Sequence, residues 1–188
     1  LEESASPGVF TTQRTRLSTI FKNSYLKTNL TIQDSRTFGE SATTSEASTS
    51  SGALSVYEAW ADIVLLPGGS ITIGRQALGY DDNRLFSSPN WSNTGTAHDA
   101  AVFKYQLENN FIANLGMAYN NDKAISRETL YSGVTQYRYM GYLWLVKNIT
   151  SALSISAIGL DEGIQDQQID ASGKTTYSSK INMYHRYT

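Results

Sequence analysis

Apolar and polar residues alternate with a period of two along much of this chain. Residues 25–34 read YLKTNLTIQD, so that leucine and isoleucine alternate with lysine, asparagine and glutamine. A period of two is typical of a β-strand whose two faces meet different surroundings. The same alternation occurs in residues 10–20, 53–65, 111–119, 151–160 and 179–188. Residues 70–76, 98–107 and 136–146 have a strand-like composition without a clear polar side, and they complete a prediction of nine strands.

The predicted connections alternate between short and long. The short ones are residues 21–24, 66–69, 108–110 and 147–149, and the long ones are residues 35–52, 77–97, 120–135 and 161–178. In an antiparallel meander this places the tight turns at one end and the long loops at the other, as in outer-membrane barrels. Strands of about 9 to 11 residues cross a bilayer at a tilt. We therefore expect an all-β fold, an antiparallel transmembrane β-barrel.

The same pattern bears on domain organisation. Nine strands would leave open edges, which lipid does not accommodate. We therefore expect residues 1–188 to be part of a single outer-membrane barrel domain that is truncated at both ends.

Aromatic residues lie near both ends of the predicted strands, as expected for the two aromatic girdles of a barrel in a bilayer. The high strand propensity of tyrosine is the alternative explanation. The residues are Phe21, Tyr105 and Phe111 beside the short turns, and Tyr57, Tyr119, Tyr137 and Tyr139 beside the long loops.

Composition excludes several functions. The chain has Cys 0 and His 2, so it contains neither a disulfide framework nor a His-rich metal site. A formal net charge of -2 provides no electrostatic surface for nucleic acid. We expect no cofactor, no metal site, no enzymatic activity and no nucleic-acid partner.

The predicted loop at residues 77–97 and its flanks concentrate opposite charges in a chain that is otherwise rich in serine, threonine and tyrosine. These residues are Arg75, Asp81, Asp82, Arg84, His98 and Asp99. Buried charges must be paired, so the clustering is typical of a loop that folds onto itself or into a cavity. A purely structural loop network is the alternative.

Four short motifs in this region resemble the alginate-export family of outer-membrane β-barrel porins. They are GRQ at residues 74–76, YDDNRL at 80–85, NWSNTG at 90–95 and HDA at 98–100. Residues 13–17 (QRTRL) and 57–60 (YEAW) also resemble earlier strands of that family. The resemblance implies a monomeric barrel of about eighteen strands whose electropositive lumen conducts an anionic polysaccharide or small solutes. It also implies that Arg75 and Arg84 project into the pore or its loop, and that Asp81 or Asp82 pairs with them.

Charged residues on the predicted polar faces are candidates for the pore lining. The basic ones would form a ladder of fixed charges that lowers the barrier for anions, and Glu58 and Asp62 opposite them would create a transverse field. A solvated side chain or a local ion pair is the alternative for each residue. The full candidate set is Arg14, Arg16, Lys27, Glu58, Asp62, Arg75, Asp81, Asp82, Arg84, Lys180 and Arg186.

We therefore expect a channel in the bacterial outer membrane for passive diffusion or export of anionic sugars, polysaccharide or small solutes. Its expected partners are membrane lipid, lipopolysaccharide, an anionic or neutral solute or polysaccharide, and associated outer-membrane proteins. One alternative is a barrel enzyme that uses His98 and Asp99 as a dyad. The other is a soluble carbohydrate-binding β-sandwich with Trp60, Trp91 and Trp144 as stacking platforms.

Overall fold

The computed structural model of the chain describes residues 11–37, 54–86, 90, 93–107, 110–120, 137–169 and 175–188. These residues form nine antiparallel strands in one sheet, in the same order as in the sequence. The described residues contain no helix that is long and apolar enough to span a membrane. The strands are β1 (Thr12–Lys22), β2 (Leu26–Thr37), β3 (Ser55–Leu66), β4 (Gly69–Gln76), β5 (His98–Leu107), β6 (Phe111–Tyr119), β7 (Tyr137–Asn148), β8 (Ser154–Ile169) and β9 (Thr175–Tyr187).

The nine predicted strands and the all-β class are confirmed. The β-sandwich alternative is wrong, because the nine described strands belong to one sheet and a sandwich packs two sheets together. The long loop predicted for residues 161–178 is also wrong over most of its length. Backbone pairing of β8 with β9 continues to Ile169 and Thr175, since ladder hydrogen bonds do not depend on apolar side chains. The predicted loops at residues 38–52 and 121–135 lie outside the described residues.

Tight turns fix the register at one end of the sheet. Between β1 and β2, the backbone N–H groups of Tyr25 and Leu26 donate to Asn23 Oδ1 at 3.0 and 2.8 Å. Between β3 and β4, Gly68 has a φ of 77°, which glycine adopts without the steric penalty of a side chain. A one-residue slip would reverse the face of every side chain, so these turns determine which residues share a face.

The register divides the side chains into two faces of opposite character. The polar face includes Asn29, Thr31, Gln33 and Ser35 of β2, all of which are buried. Ser18 of β1 faces them and is hydrogen-bonded to Thr31 at 2.8 Å. The opposite, apolar face exposes large aliphatic side chains, among them Leu17, Leu30, Ile63, Ile73, Leu115, Met117 and Leu143.

Two β-bulges change the predicted positions of aromatic side chains. The register shifts between Thr31 and Ile32 opposite β3, and Tyr57 becomes a buried residue of the polar face. A second shift between Tyr137 and Tyr139 leaves Tyr137 buried as well. The girdle prediction is therefore wrong for Tyr57 and Tyr137, because a bulge inserts a residue and reverses the alternation beyond it.

Candidate pore lining and constriction loop

The connection between β4 and β5 folds over the polar face of the sheet. We call residues 77–97 the inner loop; the structure describes residues 77–86, 90 and 93–97 of it. Leu78 and Phe86 are buried in a cluster with Val102, Tyr142 and Leu160, which lie on the polar-face rows of β5, β7 and β8. The first half of the inner loop therefore covers an apolar part of the wall that would otherwise face water.

Aromatic rings form most of this contact. The ring centroids of Phe86 and Tyr142 are 4.9 Å apart at 74°, an edge-to-face arrangement. Tyr80 lies 4.9 Å from Trp144 and 5.6 Å from Phe86. The hydroxyl groups of Tyr80 and Tyr142 are hydrogen-bonded at 2.7 Å, and Asn114 donates to Tyr80 at 3.4 Å. Burial raises the pKa of the Tyr80 phenol above its ordinary value of 10.0.

A tight turn holds the charged residues of the inner loop beside this cluster. Asp81 and Asn83 have φ values of 50° and 61°, a left-handed conformation that Asp and Asn adopt more readily than most residues. The backbone N–H of Asn83 donates to the Tyr80 carbonyl at 2.9 Å. Trp144 Nε1 donates to Asp81 Oδ2 at 3.0 Å. Asp81 therefore ties the turn to β7 instead of pairing with an arginine.

The second half of the inner loop binds the opposite wall, formed by β1 and β2. Gln33 donates to the Thr94 carbonyl at 2.7 Å, and Ser35 donates to the Asn93 carbonyl at 3.2 Å. The Asn93 side chain in turn donates to the Gln13 carbonyl at 3.2 Å. The inner loop thus connects the β1–β2 wall with the β5–β8 wall across the polar face, as a constriction loop would.

Arg16 is the charged residue at the centre of this second anchor. Its Nε donates to Gln33 at 2.7 Å, and its Nη1 donates to Asn90 at 2.8 Å. Its guanidinium lies 3.5 Å from the centroid of the Tyr57 ring. A guanidinium stacked on an aromatic face while donating two hydrogen bonds is a strong local anchor. The structure therefore gives Arg16 a positioning role for the inner loop.

The two predicted acids of β3 lie on the polar face and make local contacts. Glu58 accepts hydrogen bonds from Asn29 and from the backbone N–H of Ala77, each at 3.1 Å. Asp62 Oδ2 accepts from Thr72 at 2.5 Å and from Lys104 Nζ at 3.2 Å. Glu58 consequently fixes the start of the inner loop, and Asp62 is paired across the sheet.

The other predicted residues divide between the polar face and the loop. Arg14 and Lys27 lie on the polar face, opposite Ser35 and Asp62 in the register. Lys180 and Arg186 occupy the same face of β9 by alternation, and Arg186 lies 2.7 Å from Glu162. Asp82 and Arg84 form an exposed ion pair of 2.6 Å in the inner loop.

Arg75 lies at the loop end of β4, where it lines a cavity together with Gln33, Tyr57 and Thr94; its place in the pore lining stays a prediction. The register aligns Arg75 with Ala59 and Asp99, in the alternate set that carries Ile71 and Ile73, which is the apolar face. It lies 3.5 Å from Asp99 at the loop end of the sheet. Counting residues from the motif alone did not reveal on which face β4 would present this arginine.

The geometry also separates the two members of the proposed enzymatic dyad. His98 lies on the polar face and its Nδ1 is hydrogen-bonded to the Tyr137 hydroxyl at 2.6 Å. Asp99, the next residue in an extended strand, points to the opposite face and lies beside Arg75. No group of three or more His, Asp and Glu side chains within the described ranges is arranged to hold a metal ion.

Sequence reasoning missed several residues of this site. Lys104 joins the basic residues of the polar face, and Tyr80, Tyr142 and Trp144 hold the inner loop. One feature of the sequence could have pointed to the residues that hold the inner loop. Residues 98–107 and 136–146 are apolar on both faces, which indicates strands that are covered on both sides.

Comparison with known proteins adds a family assignment to this geometry. A family model described as alginate export matches residues 4–142. The matched region contains β1 to β6, part of β7 and the entire inner loop. Neither a curated protein nor a solved structure matches the chain significantly.

Proposed function

The chain belongs to the alginate-export family, and on that premise we propose that it forms part of the wall of an outer-membrane channel for an anionic polysaccharide or smaller anionic or neutral solutes. The family and the all-β antiparallel sheet fit transport through an outer-membrane barrel. Selectivity in such a channel comes from the shape and charge of the lining, without covalent chemistry.

This proposal rests on a distribution of polarity that is the reverse of that in a water-soluble protein. Apolar side chains are exposed on one face of the sheet, and polar side chains are buried on the other. Leu17 is 66% exposed on the apolar face, whereas Thr31 and Gln33 are each 3% exposed on the polar face. Leaving a leucine side chain in water forfeits roughly 1.5–3 kcal/mol relative to burying it. A row of such residues is stabilised when the apolar face lies in hydrocarbon, and the polar face is then left for an aqueous lumen.

The edges of the sheet bear on the size of the barrel. Within the described residues, β1 and β9 lie at opposite ends of the strand order and do not pair with each other. Unpaired backbone groups cost several kcal/mol each in hydrocarbon. We infer that β1 and β9 pair with further strands of one larger outer-membrane barrel domain, with lipid and lipopolysaccharide against its apolar face.

The inner loop and the basic residues of the polar face supply the mechanism. The loop narrows the lumen because it is attached to both walls. Lys27 and Arg14 on the β1–β2 wall, with Lys180 and Arg186 on β9, place positive charge along the path. An anionic chain or solute is attracted to these fixed charges and passes the constriction without being bound tightly at any single one.

The proposal is tested by measuring ion selectivity of the full-length protein in a planar bilayer. We expect Lys27→Gln to reduce the anion-to-cation permeability ratio, determined from the reversal potential in a salt gradient, about two- to threefold. A unit charge ~7 Å from a permeating ion in water contributes ~0.6 kcal/mol. Ionic strength is kept near 0.1 M, where the Debye length is about 10 Å.

Lys147→Gln is the matched control. Lys147 is also a lysine near a tight turn, but the register aligns it with Phe111 and Ile155 on the apolar face. We expect its removal to leave the reversal potential unchanged. The mechanism is refuted if wild-type protein does not conduct, or if the two lysine variants shift the reversal potential equally.

Substrate class is tested by current block in the same bilayers. We expect oligouronates to interrupt the current at lower concentration than neutral dextrans of equal length, because the lining attracts carboxylates. Equal block by both polymers would contradict a preference for anionic chains and would favour a general solute pore.

A further inference from the structure

The polar face carries a hollow of about 410 Å³ near the tight turn that joins β3 and β4. One row of the register crosses it, in which Val64, Ser70, Lys104 and Asn114 follow one another on four neighbouring strands. This row lies two residues along β3 from Asp62, so it belongs to the polar face. None of the described lining residues belongs to the inner loop. In the proposed channel the hollow therefore opens to the lumen on the turn side of the constriction.

Apolar side chains are left exposed in this hollow. Val64 lies on the polar face and is 50% exposed, and Leu66 at the turn is 41% exposed. Ile112 adds a third aliphatic side chain to the lining. Elsewhere on the polar face the inner loop covers such residues, whereas no described segment covers these three. A ligand with apolar groups of its own would remove them from water.

Polar groups share the same lining. Lys104 Nζ donates to Asp62 at 3.2 Å, and the Lys104 side chain is 42% exposed, so that further N–H groups of the ammonium can reach a ligand. Asn114 donates to the Tyr80 hydroxyl at 3.4 Å, and its Oδ1 accepts from no donor within the described residues. The Asn114 amide is thus held by one long hydrogen bond and can turn to offer an acceptor to a ligand.

We propose that this hollow is a subsite for a pyranose ring of the transported solute. A pyranose has C–H groups on the faces of its ring and hydroxyl groups around its edge. The C–H groups would pack against Val64 and Ile112, while ring hydroxyls accept from Lys104 and donate to Asn114. The inference rests on the proposed function only in requiring that the polar face meets an aqueous lumen.

The charges at the hollow indicate that the ring is recognised and not its carboxylate. Lys104 is the charged residue among the described lining residues, and it is already paired with Asp62. A carboxylate that approached Lys104 would also approach Asp62, so the attraction and the repulsion largely cancel. Neutral hexoses and uronates should therefore bind this subsite alike, whereas the basic residues elsewhere on the polar face distinguish them.

Saturation-transfer NMR of the full-length protein in detergent micelles tests this with two probes. They are cellotriose and the β-1,4-linked trimer of glucuronate, which have the same linkage and differ in their carboxylates. We expect wild-type protein to bind both, with Kd values within about threefold of each other. Saturation should pass most strongly to the ring C–H protons, because these lie against the aliphatic side chains.

Ser70→Leu fills the hollow and should weaken binding of both trimers about tenfold. Ser156→Leu is the matched control, because Ser156 is a serine aligned with Val146 near the turn end of the sheet and does not line the hollow. We expect Ser156→Leu to bind both trimers as the wild type does.

A double variant tests the role of Lys104 without a change in net charge. Asp62→Asn combined with Lys104→Met removes the ammonium donors and the carboxylate together. We expect it to weaken both trimers by the same factor, about tenfold, because each loses a charge-assisted hydrogen bond to a ring oxygen. Semi-native electrophoresis confirms that each variant is folded.

The proposal is overturned if neither trimer binds the wild type, if only the glucuronate trimer binds, or if the two serine variants behave alike. Binding in micelles does not require conduction, so it is separate from the test of the channel. A wild type that conducts with anion preference but binds no trimer contradicts the subsite alone. A wild type that binds both trimers but does not conduct supports the subsite and contradicts the proposed channel.

Discussion

Truncation of Phe86 to alanine should release the first half of the inner loop from the β5–β8 wall. The Phe86 side chain is 5% exposed and packs edge-to-face against Tyr142. Phe→Ala changes at such buried sites cost about 3–5 kcal/mol. If this loss of free energy falls entirely on loop docking, the ratio of docked to undocked loop decreases by roughly two to three and a half orders of magnitude. Leu78 and the bond between Glu58 and Ala77 remain, so we expect frequent opening and not complete loss of the docked state.

Single-channel recording of the full-length protein measures the effect directly. We expect Phe86→Ala to give a larger and noisier open-channel conductance, and trypsin to cut after Arg84 faster than in the wild type. Phe103→Ala is the matched control, because Phe103 is aligned with Ile71 and Leu115 on the apolar face. The reasoning is refuted if Phe86→Ala conducts and resists trypsin like the wild type, or if Phe103→Ala changes the current as much.

The remaining predictions concern the same network. Gly116→Ala should destabilise the protein by about 1–3 kcal/mol in urea unfolding, because the new methyl would overlap the Tyr142 ring; Gly141→Ala, which meets no atom within 4 Å, should not. Arg16→Met should raise current noise, because it removes the cation–π contact and the bonds that hold the second half of the loop; unchanged noise would assign that anchoring to the backbone contacts alone. Burial raises the pKa of the Tyr80 phenol, so its contribution to loop docking is fully present below the ordinary tyrosine pKa of about 10 and is lost as pH rises above it. In an alkaline titration followed by absorbance at about 295 nm, the late-titrating fraction should decrease by one tyrosine in Tyr80→Phe, and an unchanged titration curve would contradict a buried phenol.

The sequence determined the strands well where the two faces of a strand differ. Residues 25–34 alternate clearly because Leu30 lies on the apolar face while Thr31 and Gln33 lie on the polar face. The alternation of apolar and polar residues did not predict which face of β5 and of β7 is the polar one, and the reason is physical. Val102 and Tyr142 lie on the polar face of the sheet but are covered by the inner loop, so both sides of these two strands carry apolar residues. Only knowledge of where the inner loop packs could have shown which side of each of these strands it covers.

Position along a motif was a poorer guide to the site. Arg16, Glu58 and Asp62 were correctly placed on the polar face, because the alternation around them is clean. Tyr57 was misplaced, because a bulge turned its side chain to the polar face. The register places Arg75 in the row of Ile71 and Ile73, although Arg75 also lines a cavity with Gln33 and Tyr57. A local shift of one residue leaves composition and spacing unchanged, and the sequence alone therefore does not reveal it.

The attachment of the inner loop to two distant walls has a mechanical consequence. Each described strand pairs only with its neighbours in sequence, so no backbone ladder within the described residues connects β2 directly with β7. The loop joins Gln33 on β2 to the wall that carries Tyr142 on β7, and it acts as an internal strut between them. In the proposed channel, this strut would resist flattening of the wall under lateral pressure from the bilayer. The same loop that narrows the proposed passage would thereby keep the two walls apart at that level.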